Sequence, residues 1–141
     1  METLKTAKPL RMDSNKVKMY YWTTLSISIF ILILNTGLWL IVLGLIILPV
    51  IILHIIVGLR LNMFENYEKP MLISSTSLLI FALIRPEGVH SFNDSGLSAF
   101  LKLFGLYWGF SSHFENHFFV SSIVLLLLQL IIEITLIRSK K

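Results

Sequence analysis

Forty consecutive residues without an Asp, Glu, Lys or Arg run from Tyr20 to Leu59 and read YYWTTLSISIFILILNTGLWLIVLGLIILPVIILHIIVGL. A few hydroxyl side chains, one asparagine and one histidine interrupt the aliphatic and aromatic residues. An uninterrupted apolar run of about 18 residues is already typical of a membrane span. A single helix of forty residues would measure about 60 Å, roughly twice the thickness of the bilayer's hydrocarbon core. We therefore expect the segment to fold back on itself as two membrane-spanning helices.

The composition of the whole chain fits one integral membrane domain. Of its 141 residues, 55% are hydrophobic and 14% are charged, whereas about 25% are charged in ordinary soluble domains. A cleaved signal peptide does not fit, because the first apolar segment is too long and lacks a small-residue cleavage site. The absence of cysteine excludes disulfides, thiolate catalysis and Cys-based metal sites. The net charge of +4 comes from basic residues beside apolar segments, which favours membrane orientation over nucleic-acid binding.

Turn residues and prolines divide the chain into an all-α bundle of four predicted spans. Asn35-Thr36-Gly37 is a turn signal, because Asn and Gly tolerate the left-handed backbone of a tight reversal. Pro70 and Pro86 bound a third apolar segment, and Arg85 at its end is expected to extend toward the membrane surface. The predicted spans cover residues 18–34, 38–59, 71–84 and 118–137, together the membrane domain of residues 18–137. A basic polar tail (residues 1–17) precedes it and a basic end (residues 138–141) follows.

A short amphipathic helix is predicted between the third and fourth spans. Asn93-Asp94-Ser95 can cap a helix over residues 97–110. Its fourteen residues reach only about 21 Å, so we expect it to lie on the extracytoplasmic membrane surface. Gly105 and Gly109 are four residues apart, a spacing that lets two helices approach closely, and they are predicted helix-packing positions.

The distribution of basic residues predicts the orientation. Four spans place the N-terminal segment, the loop after the second span and the C-terminus on one side, which then holds ten of the twelve Lys and Arg residues. Only Arg85 and Lys102 lie on the other side. The positive-inside rule therefore predicts that both termini are cytoplasmic.

Two ionisable residues at membrane depth, His54 and Glu133, are the main candidates for a functional site. Each lies about one helical turn from the predicted cytoplasmic end of its span, and we predict that they pair, because ionisable side chains inside a membrane need a partner. Gln129 shares a helix face with Glu133, and Ser75 and Ser77 lie at similar depth in the third span. The predicted intramembrane polar site therefore comprises His54, Ser75, Ser77, Gln129 and Glu133.

Three interpretations of this site stay open. It can be a proton or cation site. It can also be a set of hydrogen bonds that only holds the bundle together. In the third interpretation, Glu133 extends toward water near Arg138.

The loop histidines are weaker candidates for a metal site. His113 and His117 are four residues apart and would share one face of a helix, and His90 or Asp94 could supply a third ligand. The central position of Glu115 between the pair does not match the arrangement of zinc proteases. Interfacial histidines that meet lipid headgroups are the competing interpretation.

One segment resembles a known family. His54-Ile-Ile-Val-Gly58, followed by Asn66-Tyr67 and Lys69-Pro70, is similar to the histidine-to-tyrosine stretch in the small membrane-anchor subunits of succinate dehydrogenase. The resemblance covers about seventeen residues and departs by one extra residue before the tyrosine. It implies a haem ligand at His54 and a quinone contact at Tyr67.

The sequence thus supports three functional hypotheses for a membrane protein. The first is a non-enzymatic assembly or accessory component in the cell membrane, whose partners are the lipid bilayer and either copies of itself or other membrane subunits. The second is a proton or cation transporter or channel subunit that uses His54 and Glu133. The third is a subunit that binds haem or a divalent metal. No cofactor and no catalytic residue is predicted, because phosphate-binding glycine loops and nucleophile motifs are missing.

Overall fold

The computed structural model describes residues 14–35, 38–60, 68–85, 95–106 and 115–139. These residues form five helices and no strands. The helices are α1 (Ser14–Leu34), α2 (Leu38–Leu59), α3 (Glu68–Ile84), α4 (Gly96–Lys102) and α5 (Glu115–Arg138). The chain is therefore all-helical over its described length, as the sequence predicts.

Two of the helices are long and apolar enough to cross a membrane. These are α1 over Asn15–Leu34 and α5 over His117–Arg138, and a shorter apolar helix covers Gly44–Leu59. The two candidate spans are weak support for membrane association, because a core helix of a soluble protein can have the same length and composition. The four-span arrangement therefore stays a prediction.

The long helices alternate in direction and do not pack in chain order. α1 packs against α3, α3 against α5, and α5 against α2. Contacts between Tyr21, His54, Ser74 and Glu133 bring the starts of α1 and α3 together with the ends of α2 and α5. An apolar cluster at the same level contains Val17, Tyr21, Val57, Met71 and Leu136. A larger apolar cluster around Ile31, Val50, Phe81 and Leu126 fills the rest of the interior.

The described part of the bundle encloses polar side chains beside its apolar clusters and exposes large apolar ones. Thirteen polar or charged residues of the described chain are buried, among them Thr24, Ser28, Ser74, Gln129 and Glu133. Large apolar side chains face outward along α1, α2 and α5, including Ile33, Leu45, Leu48, Val124 and Ile131. The described outward surface of these helices is therefore largely apolar, with a few exposed hydroxyl groups such as that of Ser26.

The helix bounds correct several predictions. α2 begins and ends at the predicted residues, whereas α1 and α3 begin earlier, at Ser14 and Glu68. α5 also begins earlier, at Glu115, and it ends at Arg138. Pro70 fits in the first turn of α3 because its missing N–H has no partner to lose there.

The interfacial helix is much shorter than predicted. Its start is close to the expected position, with the Ser95 side chain accepting a hydrogen bond from the Ser98 N–H, but it ends at Lys102 and not at residue 110. Gly105 has a φ of 71°, and the Leu106 N–H bonds the Leu101 carbonyl while the Gly105 N–H bonds that of Lys102. This is a Schellman motif, in which glycine stops a helix. Gly105 is therefore a helix terminator. A Cβ atom there would meet no other atom of the chain within 4 Å, so its packing against the helix of another copy stays a prediction.

A close backbone contact fixes α4 against the bundle. A Cβ atom on Gly96 would lie 1.9 Å from the Ala82 carbonyl oxygen and 2.8 Å from Ile31 Cγ2. The Gly96 N–H bonds the Arg85 carbonyl oxygen at 3.3 Å. Only glycine allows this approach, so the start of α4 is held at the end of α3.

Arg85 points into the bundle and not toward a membrane surface. Its side chain is buried, and Nη2 donates to the Asn35 carbonyl oxygen at 2.7 Å. A helix end has free carbonyl groups that a cation can satisfy. The expectation that Arg85 extends outward is therefore wrong, and the residue instead ties the end of α3 to the end of α1.

Candidate functional site

The candidate site is a buried polar cluster where four helices meet. We define the core cluster as Tyr21 of α1, His54 of α2, Ser74 of α3, and Gln129 and Glu133 of α5. All five side chains are buried, and His54, Ser74, Gln129 and Glu133 have no exposed surface. Each long helix therefore contributes at least one polar side chain to the same interior position.

Tyr21 and Gly58 fix the orientation of His54. The rings of Tyr21 and His54 are stacked, with centroids 4.0 Å apart and planes inclined by 4°. The Tyr21 hydroxyl also donates to the His54 backbone oxygen at 2.9 Å. Gly58 lies one turn after His54, and a Cβ atom there would come within 3.0 Å of both Tyr21 Cε1 and Trp22 Cζ2. The missing side chain of Gly58 thus makes room for the aromatic residues of α1 beside α2.

Glu133 occupies the centre of the core cluster. Its Oε1 lies 2.6 Å from His54 Nδ1 and accepts hydrogen bonds from the hydroxyl of Ser74 at 2.5 Å and from Tyr21 at 3.3 Å. Gln129 Nε2 lies 3.3 Å from His54 Nδ1. The carboxyl group is thus directed inward, and the interpretation in which Glu133 extends toward water near Arg138 is wrong.

Several atoms of the cluster have no hydrogen-bond partner within the described part of the chain. These atoms are His54 Nε2, Gln129 Oε1 and Glu133 Oε2. A buried polar atom left without a partner costs about 1–3 kcal/mol. These three atoms could therefore each form a further hydrogen bond, whereas the hydrogen bonds within the cluster are concentrated on His54 Nδ1 and Glu133 Oε1.

The serines of α3 do not all take the predicted places. Ser75 and Ser77 are buried, but Ser75 Oγ has no partner among the described residues, and neither contributes a hydrogen bond to Glu133 or His54 that would place it in the cluster. Ser74 makes that contact. Successive residues of a helix are about 100° apart, so adjacent serines point in different directions, and of these three buried serines only Ser74 directs its hydroxyl at Glu133.

Sequence reasoning missed Tyr21 and Ser74. Tyr21 sits among three consecutive aromatic residues, a pattern typical of the membrane–water interface. A finer signal exists, because Tyr21, Thr24 and Ser28 recur at spacings of three and four, which places them on one face of α1. All three are buried.

The predicted metal ligands fall mostly outside the described residues. His90 and His113 lie there, as does Gly109, whereas His117 is on the exposed first turns of α5. Within the described residues no group of three or more His, Asp or Glu side chains could hold a metal ion. The metal hypothesis stays a prediction about the loop.

The haem hypothesis gains no support from the surroundings of His54. One face of the imidazole is covered by the Tyr21 ring, and Nδ1 is held by Glu133. The side chain has no exposed surface from which it could face a porphyrin. Tyr67 lies outside the described residues.

Comparison with known proteins assigns no family to the chain. No protein-family model, no curated protein and no solved structure matches it. The enclosed core cluster and the apolar outer surface are the two features from which a function can be proposed.

Proposed function

We propose that the chain is a four-span protein of the cell membrane that acts as a non-enzymatic assembly or accessory component. The observation that carries this proposal is the exposure of large apolar side chains around an enclosed polar cluster. Leu45 is 86% exposed while Glu133 and His54 have no exposed surface. In water this arrangement would expose long apolar faces to solvent. In a bilayer the same faces would contact lipid hydrocarbon, while the polar groups would be enclosed within the bundle.

The core cluster supports four spans over two. The candidate spans are α1 and α5. His54 of α2 contacts Tyr21 of α1, and Ser74 of α3 contacts Glu133 of α5 in the same cluster. If α1 and α5 cross the membrane, α2 and α3 therefore lie at the same depth. α2 has 22 residues and α3 has 17, which correspond to about 33 Å and about 26 Å against a hydrocarbon core of about 30 Å. The basic residues near the same ends favour cytoplasmic termini.

The enclosure of the cluster favours an assembly role over catalysis. An imidazole, a carboxylate and hydroxyls could serve acid–base chemistry, but a substrate would need access to them. Among the described residues, the apolar outside of α1, α2 and α5 is a surface available for contacts. In lipid, such faces associate by close packing with a second helix surface, so the proposed partners are further copies of this chain or other membrane subunits.

Single cysteines test the topology, because the chain contains none of its own. We expect Asn62→Cys and Ser139→Cys to react with a membrane-impermeant maleimide only after the cells are opened, and Leu106→Cys to react in intact cells. Labelling of Asn62→Cys in intact cells would contradict four spans while leaving the two-span arrangement open. Equal labelling of all three variants before and after opening would contradict a membrane location.

Disulfide cross-linking tests self-association in native membranes. Leu48 is exposed on α2, whereas Val50 on the same helix is fully buried. We expect cysteine at one or more exposed positions of α1, α2 or α5, beginning with Leu48→Cys, to give dimers on oxidation, and Val50→Cys to give none. If every exposed position stays uncross-linked and the purified protein is a single chain without a bound subunit, an assembly role through these faces is wrong.

The partnerless atoms of the core cluster favour one second candidate, a proton or cation transporter or channel subunit. Flux into vesicles that contain a pH-sensitive dye tests it. Transport through the cluster predicts flux that Glu133→Gln abolishes and that Glu68→Gln, the same change outside the cluster, preserves. Vesicles without flux leave the assembly role as the function.

A further inference from the structure

We propose that the core cluster is a reversible proton-binding site, and that the proton it exchanges is carried by His54 Nε2. This inference goes beyond the assembly role and rests only on the four-helix arrangement around the cluster. It names the ligand of the buried pair as a proton and identifies the atom that takes it up.

The separation of His54 and Glu133 requires a shared proton. Their atoms Nδ1 and Oε1 are 2.6 Å apart, and a bare nitrogen and a bare carboxylate oxygen would repel each other at that distance. One proton therefore lies between them, on either atom. Ser74 donates to the same oxygen, and Gln129 can follow the shared proton by turning its amide, which offers a donor or an acceptor toward Nδ1.

The charge of the pair then depends on Nε2. With Nε2 bare, the shared proton leaves the pair with a net charge of −1. Uptake of one proton at Nε2 makes it neutral, as an ion pair or as two uncharged groups. An uncompensated charge in an apolar interior costs several kcal/mol, and proton uptake at Nε2 removes that charge from the pair. When Nε2 releases that proton, the pair again carries one negative charge, while the proton between Nδ1 and Oε1 stays in place.

The surroundings favour a proton over a metal ion. Hard cations such as Ca²⁺ require six or more oxygen ligands, and the described residues contain no group of acidic and histidine side chains that could hold a metal. Oε1 is already occupied by His54, Ser74 and Tyr21. A proton needs only the one nitrogen that the cluster leaves without a partner.

The neighbouring helices contribute few other ionisable groups to the cluster. Among the described residues, only the Tyr21 phenol reaches it from α1, only a serine hydroxyl from α3 and only Glu133 from α5. The described charged side chains toward the same end of the bundle are Lys16, Lys18, Arg60, Glu68, Lys69 and Arg138. These lie near the helix ends and are at least partly exposed, so solvent and salt screen their effect on the cluster.

Nitrogen NMR of ¹⁵N-histidine-labelled protein in lipid nanodiscs tests the proposal. Over a titration from about pH 4 to about pH 10, which spans the ordinary histidine range, we expect one histidine to change its protonation at Nε2 while its Nδ1 keeps a hydrogen-bonded proton. His54→Gln identifies that histidine by removing its signals. We expect Glu133→Gln to abolish the persistent Nδ1 proton and Glu68→Gln to preserve it.

Two results would overturn the proposal. One is a His54 spectrum that does not change over the titration, and the other is a spectrum in which Nδ1 titrates while Nε2 stays constant. If Glu133→Gln fails to fold, the wild-type titration alone still decides between these outcomes. Cross-linking of the assembled protein is read out separately, so a failed titration with intact cross-links refutes the proton site and leaves the assembly role standing.

Discussion

Leucine at positions 54 and 133, singly and together, measures how strongly the bundle depends on the buried pair. His54→Leu leaves the Glu133 carboxylate in an apolar interior with only hydroxyl donors. Removing one partner of a buried ion pair typically costs about 3–5 kcal/mol. Glu133→Leu is milder, because a neutral imidazole can shift its proton to Nε2 and accept hydrogen bonds at Nδ1 from Ser74 and Gln129, which lie at 3.5 Å and 3.3 Å.

The double variant should cost less than the sum of the single ones. Glu133→Leu leaves groups whose loss of partners is worth about 1–3 kcal/mol, so additivity would give about 4–8 kcal/mol. In the double variant no ionisable pair remains in the core cluster, and Tyr21 keeps its bond to the backbone oxygen of residue 54. An apolar replacement of a buried pair is often neutral or stabilising. Measured couplings between membrane helices reach at most about 1.7 kcal/mol, so we expect a coupling free energy of about 1–1.7 kcal/mol.

The assay is unfolding in mixed detergent micelles, followed by tryptophan fluorescence. Ser26→Ala and Thr135→Ala form the control cycle, because both hydroxyls are exposed and bond only the backbone of their own helix. Single and double control variants should agree with additivity within about 0.5 kcal/mol. The same agreement for His54 and Glu133 would refute the energetic coupling argued from their contact. A double variant that assembles normally but has lost the flux measured in vesicles would instead refute a purely structural role.

Four further substitutions, of which Gly44→Ala is a control, test the other end of the bundle by the same unfolding measurement. Gly96→Ala should destabilise the protein by about 1–3 kcal/mol or more, because the added Cβ atom would collide with backbone atoms. Gly44→Ala, which has open space around it, should stabilise the protein by up to about 1 kcal/mol. Equal effects of the two substitutions would contradict the close contact of α4. Gly105→Ala should cost about 1–2 kcal/mol through its positive φ, and an unchanged stability would contradict the Schellman motif. Arg85→Met should cost about 1.5–3 kcal/mol by removing a charged donor from the Asn35 carbonyl, and a neutral effect would mean that this bond does not join α1 to α3.

The sequence predicts the helices well because their signals are local. Asn35 and Gly37 mark the break before α2 as turn residues, and α2 starts and ends at the predicted positions. The contact between His54 and Glu133, 79 residues apart, follows from antiparallel topology together with the need of a buried ionisable group for a partner. The role of that contact is not set by the same reasoning and stays a proposal.

The errors arise where one residue pattern has two physical uses. Gly105 suits both close helix packing and helix termination, and only the backbone geometry after Lys102 selects the second use. Arg85 suits both a membrane surface and a buried helix end, and the nearby Asn35 carbonyl selects the second. The choice depends on neighbours that come from distant parts of the chain.

The sequence by itself determined an all-helical chain, its principal breaks and the need of the interior histidine and glutamate for partners, because hydropathy and turn propensity act over a few residues. Only the tertiary structure decided that Tyr21 and Ser74 complete the core cluster while Ser75 and Ser77 do not. Successive residues of α3 are about 100° apart around the helix axis, so these serines point in different directions. The packing of α3 against α1 and α5 fixes which serine faces the cluster. Packing also placed the Tyr21 ring in the space beside Gly58. Both residues belong to the forty-residue apolar segment, but no local sequence pattern specifies the orientation of that ring.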